Sequence, residues 1–170
     1  MRKLIYAGVL LLALTTVELH AQTFADRLHF EVTAGAGIKN NGMTPVDFSF
    51  KSHVDFVPAS YLFIAVEDNI SLYNANGTKT YYKGVGIGGG AGLKLLDRAA
   101  CIHALDIRAK ALGSVGSPAW RRTSYDLCLA WYVKAHRFSP VVELGYRFVD
   151  SRTAGFDNYG NVYMSIGFRY

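Results

Sequence analysis

The chain has 170 residues and a formal net charge of +5, and its residues are 51% hydrophobic, 14% aromatic and only 18% charged. The basic residues are scattered and form no run of the kind that a DNA-binding arm carries, so the positive charge does not indicate a nucleic-acid-binding protein. The length is that of one domain. After the N-terminal segment no apolar run reaches the ~18 residues that a transmembrane helix needs, so the apolar residues must be arranged in another way.

The N-terminus has the features of an export signal. Arg2 and Lys3 are followed by an uncharged apolar run over 4–17, which is too short to cross a membrane as a helix. Ala21 is a small residue that suits cleavage before Gln22, although the site is open to within a residue or two. We therefore predict a cleavable signal peptide at 1–21 and a single domain at 22–170.

From residue 28 onwards hydrophobic and other residues alternate, which is the period of a β-strand with two different faces. The pattern predicts strands over 28–38, 47–57, 60–70, 80–95, 105–111, 125–134, 142–148 and 162–170. The last strand shows it best, because Val162, Met164, Ile166, Phe168 and Tyr170 share one face. The third strand is apolar on both faces in its first half, which leaves its orientation open.

The connections between these strands alternate in length. All four prolines fall between predicted strands, where a missing N–H does not interrupt a ladder. Short connections at 57–60, 96–99 and 136–140 alternate with longer ones at 39–46, 71–79, 114–121 and 151–159. An even number of strands with short turns at one end and long loops at the other is typical of membrane barrels, with both termini at the short-turn, periplasmic end. We therefore predict an all-β, eight-stranded, antiparallel up-and-down transmembrane barrel.

A soluble lipocalin-like binder would alternate in the same way but would place its apolar face inside. Three features favour a membrane barrel, with lipid outside and a polar lumen. The apolar faces are long stripes, the polar faces carry charges of both signs that can pair, and aromatic residues lie near strand ends like the girdles at membrane interfaces. The predicted luminal network consists of Glu31, Lys94, Asp106, Arg108, Lys110, Asp126, Lys134, Glu143, Arg147 and Arg169.

The signal, the eight alternating strands and the ending Ile166-Gly-Phe168-Arg-Tyr170 resemble the small outer-membrane barrels of the OmpX and OmpA-membrane-domain type. The resemblance covers the whole mature chain and is one of pattern. It implies an outer-membrane location and an insertion signal, recognised by the barrel-assembly machinery, at Met164, Ile166, Phe168 and Tyr170. Tyr170 stands where the family more often has Phe. We expect a monomer that contacts outer-membrane lipid and lipopolysaccharide.

Motifs for catalysis are weak. Gly84, Gly86 and Gly89 match GxGxxG, but no helix follows, and alternate glycines are better explained as luminal residues that leave room for bulky side chains such as Tyr132, or leave a small cavity. The histidines lack metal-site spacing. Some barrels of this size modify lipid A with a His, a Ser and a carboxylate, and His136, Ser139 and Glu143 raise that alternative. We predict no catalytic residue, metal or cofactor.

The remaining expectation concerns the long loops and the cysteines. The loops carry basic residues and aromatics that could meet lipopolysaccharide phosphates or an extracellular partner, namely Lys39, Lys79, Arg121, Arg122, Arg152, Trp120 and Tyr159. The alternative is an ordinary solvated loop.

Cys101 and Cys128 are predicted on opposite faces of neighbouring strands, which favours free thiols. A structural or surface-interaction role through the loops is the predicted function.

Overall fold

The computed structural model describes residues 27–57, 59–75, 78–97, 101–135 and 137–170, with the side chains of Ala75 and Thr78 left aside. The predicted signal peptide lies outside these ranges. The strands are β1 (Leu28–Gly37), β2 (Met43–Val57), β3 (Ser60–Ala75), β4 (Thr78–Leu96), β5 (His103–Val115), β6 (Arg122–Val133), β7 (Ser139–Ser151) and β8 (Tyr159–Arg169). Within the described ranges, no helix has the length and apolar character needed to cross a membrane.

The eight strands form one closed barrel in sequence order, and every neighbouring pair is antiparallel. β8 closes the ring against β1, with register from Glu31 opposite Arg169 to Gly37 opposite Tyr163. Within the barrel wall closure leaves no free sheet edge, so the backbone N–H and C=O groups there have partners on both sides; the β4 residues before Val85 extend beyond the wall and pair with β3 alone. The predicted strand number, order and antiparallel direction are confirmed.

The barrel has its apolar residues outside and most of the charged residues of its strands inside. Leu127 in the middle of β6 is 55% exposed, whereas its neighbour Asp126 is 4% exposed. The same alternation runs along β3, whose orientation was open: Tyr61 and Phe63 point inward, and Leu62 and Ile64 point outward. A water-soluble barrel needs the opposite arrangement, so the lipocalin-like alternative does not fit this structure.

The strands are longer than predicted at the end that carries the long loops. β2 begins at Met43 and β3 continues to Ala75, so part of two predicted loops is strand. The prediction that every proline lies between strands is wrong for Pro45, which lies in β2, and for Pro140, the second residue of β7. Pro45 lies beyond the last pair that joins β1 to β2, and Pro140 occupies a strand start, so neither interrupts a continuous ladder.

The two ends of the barrel differ. The short-turn end carries the connections after β2, β4 and β6, together with Leu28 and Arg169, the first and last strand residues. The long-loop end carries the connections after β1, β3, β5 and β7. The β3–β4 hairpin extends furthest there, since β4 residues before Val85 have partners in β3 but none in β5.

A charge placed on the outer face should destabilise the barrel in a membrane. We expect Leu127→Arg to lower the free energy of unfolding in lipid vesicles by about 2–4 kcal/mol, because an arginine in mid-strand faces hydrocarbon. Denaturant titration of the folded fraction, read by heat-modifiable gel migration, measures this. Ala154→Arg adds the same charge in an exposed long loop and should have little effect. Equal stability of the two variants would contradict a lipid-facing β6.

Candidate functional site: the charged lumen and its two ends

The middle of the lumen holds an ion cluster contributed by four strands, which we call the central cluster: Glu31, Lys51, Arg108 and Glu143. Lys51 Nζ lies 2.8 Å from Glu31 Oε1 and 2.5 Å from Glu143 Oε1. Arg108 Nη1 contacts the same two carboxylates at 2.8 and 2.6 Å. Ser165 donates a hydrogen bond of 2.8 Å to Glu143 Oε2. Each cation therefore bridges two acids across the bore.

A second group, the outer cluster, lies one step closer to the long-loop end and consists of Asp47, Glu67, Lys110, Asp126 and Arg147. The Arg147 guanidinium donates to Asp47 at 2.8 Å, to Asp126 at 2.8 Å and to Glu67 at 3.1 Å. Lys110 Nζ lies 2.8 Å from Glu67 and 3.1 Å from Asp126. The Arg147 guanidinium also lies over the Tyr163 ring, 4.8 Å from the ring centroid, so a cation–π contact holds it in addition to the three carboxylates.

A third group lies toward the short-turn end and links an aromatic ring to charges. Tyr61 donates a hydrogen bond of 2.7 Å to Asp106 Oδ2, and Arg108 Nε donates one of 2.6 Å to Tyr61 Oη. Arg169 Nη1 lies 3.8 Å from Asp106 Oδ2, too far for a hydrogen bond. Arg108 thus joins this group to the central cluster, and the outer cluster forms a second polar layer nearer the long-loop end.

The filling satisfies the physical condition for burying charge in a narrow bore. Six buried carboxylates accompany five buried basic side chains, and the half-buried Arg122 adds another cation. Breaking such pairs one-sidedly would leave a buried charge uncompensated, which costs about 3–5 kcal/mol. The arrangement can therefore hold the lumen closed, with the carboxylates of the central and outer clusters paired to its cations.

The structure brings together most of the predicted luminal residues but separates two of them. Lys94 and Lys134 do not join the clusters, and they lie half-buried at the short-turn mouth with Asp55 and Asp97 as partners. The residues that sequence reasoning missed are Asp47, Lys51 and Glu67. Asp47 and Lys51 alternate with Phe48 and Phe50, which was a usable signal; Glu67 was hidden by the adjacent Asp68 on a strand of open orientation.

The long-loop end carries an aromatic cluster that we call the aromatic lid: Tyr73, Tyr82, Trp120, Phe156 and Tyr159. Trp120 stacks between Phe156 and Tyr159, with centroid distances of 5.7 and 5.9 Å. Tyr82 meets Phe156 edge-on at 4.9 Å, and Met43 packs against the same cluster.

The aromatic lid corrects the expectation that the aromatics of the loops are exposed for a partner. Trp120 is 3% exposed and Tyr159 is 4% exposed. Arg122 also faces inward, with its guanidinium 4.6 Å from the Trp120 ring centroid. The lid residues lie at or near three of the long-loop connections, and Met43 beside the fourth packs against them, so the lid ties these connections together over the lumen.

The glycines of β4 leave room for luminal side chains, although not for the one predicted. A Cβ atom on Gly92 would overlap the Tyr61 ring, and one on Gly90 would press against the Phe63 ring at 2.6 Å. Tyr132 instead packs with Ala104 and Val141. Gly90 and Gly92 therefore face bulky rings of β3, while the GxGxxG match lies inside a strand and has no helix after it.

The alternative lipid A chemistry receives no support from the geometry. His136 lies outside the described residues, and Ser139 lies at the short-turn end, where its Oγ accepts a hydrogen bond of 3.3 Å from the Ala135 N–H. Glu143 is buried deeper, against Lys51 and Arg108. Among the described residues no group of three His, Cys, Asp or Glu side chains could hold a metal ion. Cys101 and Cys128 are free.

The four residues of the predicted insertion signal all face outward. Met164, Ile166, Phe168 and Tyr170 are 56–65% exposed and alternate with inward residues of β8. Tyr81, Tyr125 and Trp131 are also outward. This geometry is the one that membrane insertion requires, with apolar and aromatic side chains on the lipid side.

No family model matches the sequence, and no curated protein matches it significantly. Among solved structures, the barrel is similar to the N-terminal β-barrel domain of Pseudomonas aeruginosa OprF, with a TM-score of 0.51 and 8% identity, over 84% of this chain and 96% of that one. The chain has the fold of a small outer-membrane β-barrel. The barrel also aligns with a de novo designed transmembrane β-barrel, with a TM-score of 0.48 and 17% identity, over 84% of this chain and 92% of that one. It aligns with Yersinia pestis Ail with a TM-score of 0.44 and 12% identity, over 84% of this chain and 96% of that one. At these identities the likeness concerns the fold alone.

Packing between Gly92 and Tyr61 can be tested with a matched pair of substitutions. Gly92→Ala should lower the free energy of unfolding by about 1–3 kcal/mol, because its methyl group overlaps a ring held by Asp106 and Arg108. Gly113→Ala is the control, since a Cβ there has no atom within 4 Å. Denaturant midpoints in detergent or vesicles provide the measurement. Equal destabilisation by both substitutions would show that strand glycine content, rather than this contact, is what matters.

Proposed function

We propose that this protein is an outer-membrane barrel with a closed lumen, whose role is structural or surface interaction through its long-loop end. The observation that carries the proposal is the filled bore: the central and outer clusters cross it and the aromatic lid covers it. A barrel that transports solutes needs a water-filled path, whereas the luminal side chains of this barrel pair with each other across the bore. The apolar outer face and the outward closing strand support an outer-membrane address.

The proposed orientation places the short-turn end in the periplasm and the long-loop end outside the cell. The difference between short and long connections supports it, because small outer-membrane barrels keep short turns on the periplasmic side. In this orientation the proposed partner during insertion is the barrel-assembly machinery, which would meet the outward residues of β8. Within the barrel wall the closed ring leaves no strand edge for self-association, and the one-sided extension of β4 before Val85 is short, so we propose a monomer.

The closed lumen predicts an absence of steady ion conductance. The purified, refolded barrel should give no stable conductance step in a planar bilayer, because mobile ions would have to displace paired charges and the aromatic lid. A porin measured in the same bilayer is the positive control, because its insertion gives a conductance step. Heat-modifiable gel migration checks that the barrel in the sample is folded. A reproducible, long-lived open level from the folded protein would refute the closed lumen.

The rim of the long-loop end suggests the chemistry of an outside partner. The exposed side chains there include Lys39, Lys79, Arg121 and Arg152, against Asp157 in the same loops. Arg121 and Arg152 lie on neighbouring loops, joined by a backbone hydrogen bond from Arg152 N to Arg121 O of 2.8 Å. Guanidinium groups bind phosphate oxygens in a bidentate manner. We therefore include lipopolysaccharide phosphate as the proposed partner of this rim.

Removing the two rim arginines should weaken retention of lipopolysaccharide. We expect Arg121→Gln and Arg152→Gln together to reduce co-purified lipopolysaccharide phosphate several-fold, and each alone to reduce it less, because each charge-assisted contact contributes about 1.5–3 kcal/mol at most and less at an exposed site. Phosphate analysis of the purified protein gives the measurement. Arg27→Gln removes one charge at the opposite end and serves as the control for the single variants. If Arg27→Gln lost as much co-purified lipopolysaccharide phosphate as Arg152→Gln, the protein would attract lipopolysaccharide through its overall charge and not through the rim arginines.

A further inference from the structure

The short-turn mouth of the lumen contains a cavity of about 320 Å³, which we call the vestibule. Lys94, Tyr132, Lys134, Arg137 and Arg169 contribute to its lining. The volume is far above the 10–15 Å³ that a single water molecule needs and within the range of small-molecule pockets, about 300–1,000 Å³. The vestibule lies on the opposite side of the ion clusters from the aromatic lid, so it is a separate site from the loop surface.

The positive charge of the vestibule is only partly balanced. Lys94 Nζ lies 2.6 Å from Asp55 Oδ2, and Lys134 pairs with Asp97, so each lysine has a carboxylate. Asp97 is the only acidic side chain in the described lining. Arg137 is exposed at the rim, and Arg169 has as its nearest carboxylate Asp106, at 3.8 Å. The exposed Arg137 and the Nη1 donor of Arg169 are therefore the cationic groups of the wall that neighbouring carboxylates satisfy least.

Arg169 is buried, held in position and short of hydrogen-bond acceptors. Its residue is 7% exposed, and among the described residues Nη1 has no hydrogen-bond partner. The guanidinium carbon lies 5.1 Å from the Tyr132 ring centroid and 5.7 Å from that of Tyr61, so two rings fix its plane. A guanidinium donor buried without an acceptor is unfavourable, and a fixed guanidinium at a cavity wall is pre-organised for an oxyanion.

We propose that the vestibule binds a phosphate group, with Arg169 as the principal donor and Arg137 as a second cation at the rim. Lys134 and Lys94 would add positive potential without leaving their aspartates. Phosphate fits because it presents several acceptor oxygens for the unsatisfied Arg169 donor and carries a charge opposite to that of the two arginines. Two sources supply this chemistry on the short-turn side: a free or solute-borne phosphate, and the anionic headgroup of a phospholipid. Binding follows from the cavity itself and does not depend on the loop function proposed above.

The test uses the whole folded barrel in a neutral maltoside detergent. Inorganic phosphate and, separately, short-chain dihexanoylphosphatidylglycerol are titrated while the arginine side-chain NMR signals and the heat of binding are followed. We expect saturable binding with a shift of the Arg169 Nε–H signal. Arg169→Gln should weaken binding roughly tenfold to a hundredfold, since a charged hydrogen-bonding contact is lost. Lys83→Gln, an outward-facing charge on β4, should leave the affinity unchanged.

Each outcome shows either whether the vestibule binds phosphate or whether that phosphate is free or part of a lipid headgroup. Phosphate that binds and competes with the lipid supports a soluble source as well as a headgroup; lipid binding alone supports the headgroup. No saturable binding of either probe at millimolar concentration overturns the proposal. If Arg169→Gln does not fold, as judged by heat-modifiable migration, Arg137→Gln decides instead: it should weaken binding several-fold because it removes the rim cation. Unchanged affinity in that variant, or in a folded Arg169→Gln, overturns the proposal.

Discussion

Charge inside a narrow bore is the constraint on which the rest of this structure depends. The polar face of each strand must point away from lipid, and the only remaining place is the lumen, where water is scarce. Buried charges are tolerated when each has an opposite charge and hydrogen bonds. Arg108 and Arg147 meet this requirement by bridging several acids each, so a residue from one strand fixes residues from three others. The luminal pairing thus also helps to set the barrel's register.

The same constraint explains why glycine is concentrated on one strand. The ion clusters and the Tyr61 and Phe63 rings occupy most of the bore, so some inward positions must be small. β4 supplies them, and Gly92 lies where the Tyr61 ring leaves no space for a Cβ. Tyr61 then reaches Asp106 and Arg108, which connects the aromatic packing of β3 to the charged filling. The glycine row is therefore part of the luminal packing rather than a nucleotide-binding loop.

Much of the fold could be predicted from the sequence because a period of two marks both the strand and its faces. The alternation from Val162 to Tyr170 is enough to place β8. The same alternation in other strands predicts that Glu31, Arg108 and Arg147 face the lumen. The failures have local causes. Glu67 and Asp68 are adjacent acids, so alternation alone could not say which faces inward, and the register with β2 and β4 decides it. Trp120 looked like an exposed loop residue, since a cluster of four loops cannot be deduced from any one of them. Pairings such as Lys51 with Glu143 depend on strands far apart in sequence.

The two ends of the barrel are built by different forces, and this difference bears on what each end can do. At the long-loop end aromatic rings remove water from the mouth, and ring packing holds the loops in one arrangement, which favours recognition over their outer surface. At the short-turn end the mouth stays open and its wall carries a guanidinium that the protein itself does not fully satisfy. An apolar cluster cannot exchange partners with an ion, but a partly satisfied guanidinium can. The chemistry suited to a small anion therefore lies at the end away from the loops, whereas the loop end presents a packed and ordered surface.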